Sequence, residues 1–241
     1  MRLKRPMFAA ALIGSLAAGA AQAAQSPPRS LPNPAACPPA PPIESDTNER
    51  KGALAVPQTL STIARSGRTN LAVLTLTGTN YCHVISQISE ARNFALSADK
   101  RFLSLDWYGY EEGGYWLIDR SGRGQSVDTG AKPVFAPSRS RMAAIEWSES
   151  GFGSLNGFAI WQVNAVGLHR TVMLTEIPPL ADWRIDGWPV ETCINLSGIP
   201  NSRIPDGAEN YSRIARDRYV ARPAGATWRI TRATGRGCPA G

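Results

Sequence analysis

From about residue 53 the chain never holds a helical period. It breaks into apolar runs of five to eight residues: 71–77 (LAVLTLT), 81–88 (YCHVISQI), 102–107 (FLSLDW), 115–119 (YWLID), 142–147 (MAAIEW) and 158–163 (FAIWQV). The series continues at 168–175, 190–196, 218–222 and 227–231. The runs are rich in β-branched and aromatic residues and end at Gly, Pro, Asn, Asp or Ser, which reads as strand–turn–strand. Only 57–65 (PQTLSTIAR) has a helical look. Short strands at regular spacing give an all-β domain of antiparallel sheets, built as a partial or small β-propeller, with a β-sandwich as the alternative. At 241 residues there is room for one such domain, over 51–241.

Ahead of that domain stand two other segments. Residues 1–23 carry Arg2, Lys4 and Arg5, then an apolar run over 7–19, then Ala21-Gln22-Ala23. That order is the order of a secretory signal peptide with its cleavage site, and the run is too short and too poor in large residues to span a bilayer. Residues 24–50 hold eight prolines between Pro27 and Pro42 and read as an extended, proline-rich linker. The expected location is periplasmic or secreted, with no membrane span after cleavage.

The leader holds three of the 26 basic residues and none of the 19 acidic ones, so the remaining 218 residues carry only +4. This mild excess, without aromatics between the basic residues, excludes nucleic acid as the expected partner. The charge concentrates in 197–241, where eight arginines face Asp206, Glu209 and Asp217. It reads as a solvated basic edge, with a patch for acidic envelope polymers or lipid head groups as the alternative.

Cys37, Cys82, Cys193 and Cys238 are an even set without C-x-x-C spacing, which in an exported chain means two disulfides. Three pairings are possible. The flanking positions of Cys37 and Cys238 favour 37–238 with 82–193, which would pin the ends of the domain together.

The segment Phe94-Ala-Leu-Ser-Ala-Asp-Lys-Arg-Phe-Leu returns about 40 residues later as Phe135-Ala-Pro-Ser-Arg-Ser-Arg-Met-Ala. Each copy leads through a basic tip into an apolar strand, then to an aromatic strand and a Gly turn. A third pass is expected to begin at Trp183-Arg-Ile-Asp-Gly-Trp188. The Phe135–Ile145 copy resembles the F-S-P-D-G-K-R turn of WD40-like and TolB-like β-propeller repeats, with Pro137 on the family proline and Ser138 where Asp is usual. The resemblance runs over roughly residues 92–190. It implies a binding or scaffolding role and carries no catalytic residue with it.

The sequence carries few signatures of catalytic chemistry. Ser97-x-x-Lys100 has a serine–lysine spacing but lies in an expected turn without its partner motifs. No G-x-S-x-G, P-loop or H-E-x-x-H occurs, and His83 and His169 are the only histidines. No cofactor, metal or catalytic residue is therefore expected. Trp147, Trp161, Trp183 and Trp188 read as core.

The densest polar–aromatic stretch is 106–116, DWYGYEEGGYW, set around a Gly-Gly turn. Trp107, Tyr108, Tyr110, Glu111, Glu112 and Tyr115 are the candidate binding residues. Flat rings beside carboxylates suit a sugar-binding surface, and a second acid from Asp106 or Asp182 would be needed for glycoside hydrolysis. The leading expectation is an exported, non-catalytic binding or scaffold module that engages a protein partner through its loops. The alternatives are a glycan-binding protein and a cell-envelope hydrolase using the same hairpin.

Overall fold

The computed structural model describes residues 30–41, 52–148, 151, 153–208, 210–235 and 237–240. The expected signal peptide lies outside them. The described chain is all-β, in four antiparallel sheets in which every strand pairs with its neighbour in sequence, and none of which closes on itself. The first sheet holds β1 (Ala64–Ser66), β2 (Asn70–Leu74) and β3 (Asn80–Val84). The second holds β4 (Glu90–Leu96), β5 (Phe102–Tyr108), β6 (Gly113–Asp119) and β7 (Gln125–Asp128). The third holds β8 (Val134–Phe135), β9 (Arg141–Glu146), β10 (Gly157–Asn164) and β11 (Gly167–Leu174). The fourth holds β12 (Leu180–Val190), β13 (Cys193–Pro200), β14 (Asp217–Ala224) and β15 (Thr227–Arg232). Among the described residues no helix is long and apolar enough to cross a membrane.

The sheets stack through three cores, and strand alternation decides which residue enters which. On β5, Leu103, Leu105 and Trp107 meet Leu71 and Val73 of the first sheet and Ile85 just after it, while Phe102 points the other way, to Met142 and Trp161 of the third. On β9 and β10, Ala144 and Ala159 join that second core, whereas Ile145, Phe158 and Ile160 join Trp183, Trp188 and Trp228 of the fourth sheet. The central strands of the middle sheets are thus covered on both faces, which is why they read as nearly unbroken apolar runs.

Arginines tie the sheets at their rims. Arg120 is buried, and its Nε donates to Leu74 O of the first sheet at 2.6 Å. Arg101 reaches Asn164 O in the third sheet. Arg141 donates to the Glu191 carboxylate in the fourth at 2.6 Å and lies over the Trp188 and Trp228 rings. The two basic tips expected from the repeat therefore put Arg101 and Arg141 into sheet-to-sheet contacts.

Both turns close alike. Lys100 N donates to Ser97 O and Arg139 N to Ala136 O, each at 2.8 Å, with φ of 59° and 58° at Lys100 and Arg139. This frame matches Ser97 with Ala136, two residues away from the alignment of Phe94 with Phe135. Trp183 to Trp188 lie inside β12 rather than at the start of a turn.

The disulfides are Cys37–Cys82 and Cys193–Cys238, each spanning 45 residues, which corrects the expected 37–238 and 82–193 pairing. Each bond staples a flanking segment to the outer face of the nearest sheet. Tyr81 and His83 point toward the second sheet, so Cys82 between them points out, where Cys37 meets it. Of the expected linker, residues 30–41 lie on the first sheet. Ser30 Oγ donates to Gly78 O at 2.8 Å, Asn70 Nδ2 donates to Pro38 O at 3.0 Å, and Pro34–Ala36 forms a single 3-10 turn. The helical reading of 57–65 reduces to a 3-10 turn at Gln58–Leu60 followed by β1.

Candidate functional site

The aromatic–acidic stretch is the β5–β6 hairpin, paired from Tyr108↔Gly113 down to Phe102↔Asp119. Its turn is Gly109 to Glu112, closed by Gly109 N donating to Glu112 O at 2.9 Å. The left-handed position falls on Glu111, at φ 56°. Gly113 and Gly114 are strand residues, not the expected turn. Gly114 is required by packing: a Cβ there would lie 2.5 Å from Ser154 Oγ, 2.7 Å from Trp107 Nε1 and 2.8 Å from Asp128 Oδ1.

That crowding explains Trp107. Its indole is 3% exposed, donates from Nε1 to Asp128 Oδ2 at 2.8 Å, and stacks on Trp116 at 5.2 Å between centroids. Ser154 Oγ and Gly130 N complete the Asp128 carboxylate at 2.7 and 2.9 Å. Tyr115 is buried too, and burial raises its phenol above the ordinary value. Trp107 and Tyr115 hold the hairpin's base and offer no face to solvent.

The tip is different. Tyr108 is 41% exposed, Tyr110 is 64% exposed, and Glu111 and Glu112 are exposed beside them. Edge strand β4 supplies two residues that the sequence did not single out. Glu90 is the Cα partner of Tyr108, and Arg92 places its guanidinium 5.3 Å from the Tyr108 ring centroid. Glu90 accepts both Arg92 hydrogen bonds, at 2.6 and 2.7 Å, and this pairing holds its carboxyl below the usual range. Their only sequence signal is a Glu-x-Arg pair that a strand would place on one face.

Asp106, the expected second acid, accepts from Asn93 Nδ2 at 2.5 Å. Asp182 belongs to the fourth sheet, where Arg184 and Arg216 each reach it at 2.6 Å. Asp182 therefore lies in a different sheet from the hairpin of Glu111 and Glu112. Ser97 Oγ is taken up by Asp99 and Phe102 N in its turn. His83 is half-buried with its ring against Trp116, its Nδ1 3.0 Å from Ser126 Oγ, and desolvation of the ring lowers its imidazole to about 4. The expected core tryptophans Trp161, Trp183 and Trp188 are buried, and Trp147 is half-buried.

What remains for recognition is an open platform: two tyrosine rings, a guanidinium on one of them, and three carboxylates. Such a surface can stack, donate and accept. Compared with protein-family models and with curated proteins, the chain matches none.

Proposed function

We propose that this protein is an exported, non-catalytic binding module that presents the β5–β6 tip to a protein partner of the cell envelope. The single observation that carries the reading is the exposure of Tyr108 and Tyr110 together, on a hairpin whose base is locked by Trp107, Asp128 and Gly114. Tyrosines offer large contact area at low conformational cost, and a rigid base means little is lost on binding. We read the four successive meanders, stacked face to face, as propeller-like blades, a frame that suits loop-borne recognition. Two disulfides suit an oxidising compartment outside the cytosol.

A second reading, glycan binding, draws support from the carboxylates beside the rings, since acids can hold sugar hydroxyls while a ring stacks on the sugar. Hydrolysis draws less, because Asp106 is held by Asn93 and the tip is open. The test is the double substitution Tyr108→Ala and Tyr110→Ala in the full chain. Binding to the envelope partner weakens about tenfold or more, as for interface hot spots, while the melting temperature holds. Unchanged binding refutes the assignment. Loss of retention on isolated envelope polysaccharide, with protein capture intact, replaces it with the glycan reading.

A further inference from the structure

We propose a second binding surface, on the outer face of the fourth sheet, for oxyanions carried by a soluble linear polymer. Its centre is a juxtaposition that strand register enforces: Arg222 of β14 and Arg229 of β15 are direct Cα partners. Tyr219, Ala221, Trp228 and Ile230 face the core, so period-two alternation turns Arg222 and Arg229 outward, and both are exposed. Cross-strand partners hold their Cβ atoms about 5 Å apart, and like charges placed so repel.

The carboxylates described nearby are engaged elsewhere. Asp217 engages Arg203 and Arg232, and Asp182 engages Arg184 and Arg216. Among the described residues neither Arg222 nor Arg229 has a carboxylate partner. Arg222 gives Nε to Cys193 Sγ at 3.3 Å, and Cys193 is bonded to Cys238. The disulfide thus orients one guanidinium of the exposed pair. Thr227 and Thr231 flank Arg229 on the same exposed face and add hydroxyl donors along the strand. Two adjacent guanidinium forks fit a phosphate or carboxylate bidentately.

A soluble polymer fits better than a bilayer. The hairpin tip beside the pair, Pro223 to Thr227, has no large apolar side chain to insert. The exposed large apolar residues, Leu31, Leu76, Tyr108, Tyr110 and Val166, lie outside the fourth sheet.

The probe is inorganic tripolyphosphate, read by calorimetry and thermal melting of the full chain at low ionic strength. The wild type binds and its melting temperature rises. The variant Arg222→Gln with Arg229→Gln binds about tenfold more weakly or worse, and without ligand it melts no lower than the wild type. Arg229→Lys keeps the charge, loses the fork and falls between them. Equal binding by wild type and double variant overturns the proposal, as does no binding by the wild type. Binding to vesicles of anionic phospholipid that tripolyphosphate cannot displace also overturns it, in favour of a membrane.

Discussion

Arg101 grips both oxygens of Asp119, Nε to Oδ1 at 2.9 Å and Nη2 to Oδ2 at 2.6 Å, and the same Nη2 donates to Asn164 O of the next sheet. Asp119 is fully buried and also accepts from Ser121 N. Removing one partner of such a pair strands a buried charge. Arg101→Ala is expected to cost about 3 kcal/mol, the usual scale for that loss, measured by urea unfolding. A loss below about 1 kcal/mol, as for surface pairs, would show that this latch does not hold the second and third sheets together.

The glycine at 114 permits the contact between Trp107, Asp128 and Ser154. Gly114→Ala places a methyl into those three atoms and should cost about 1–3 kcal/mol, the range for overpacking. Gly187→Ala is the control, since a Cβ there meets nothing within 4 Å. Tryptophan fluorescence should change for the first variant only, as Trp107 loses its carboxylate.

Acid sensitivity follows from His83. Its imidazole stands at about 4 in the folded protein, lowered by burial, against 6.5 ordinarily. Between those values the unfolded chain binds the proton and the folded one does not. Stability from this group is therefore complete above about 6.5, falls as pH drops toward 4, and is flat below, a loss of roughly 3 kcal/mol. In His83→Gln the urea midpoint should lose that part of its slope between pH 6.5 and 4. An unchanged slope would place the acid sensitivity elsewhere.

Each disulfide closes a loop of 45 residues, worth about 4 kcal/mol in the chain-entropy estimate. Replacing Cys193 and Cys238 by Ser should lower stability by that order and leave the 37–82 bond in place. Non-reducing peptide mapping of the wild type should join 37 to 82 and 193 to 238. A peptide joining 37 to 238 would contradict the fold.

The central strands were legible, and five of the eight edge strands were not. β2, β5, β6, β9, β10, β13 and β14 each overlap a run visible in the sequence, because burial on one or both faces demands apolar residues there. The strands that escaped, β1, β4, β7, β8 and β12, are all edges. Half-solvated strands such as Glu90–Leu96 carry Glu, Arg and Asn that propensity assigns to loops. The candidate hairpin was legible as a unit, but its inner and outer residues were not. Trp107 and Tyr108 differ in burial because alternation sends one inward, and the strand's phase depends on where the turn lies. The Gly-Gly pair suggested a turn, whereas close packing explains Gly114 and the turn falls on Gly109 to Glu112. The disulfide pairing was missed because residues 30–41 dock on the first sheet, which brings Cys37 to Cys82.

The most direct test puts a photoreactive amino acid at position 110, and separately at exposed Val166, in the full chain in its own cells. The expected result is one stoichiometric protein adduct from position 110, absent from position 166, and lost when Tyr108→Ala is added. Identical adducts from both positions, or none from 110, would contradict the assignment of the β5–β6 tip as the binding surface.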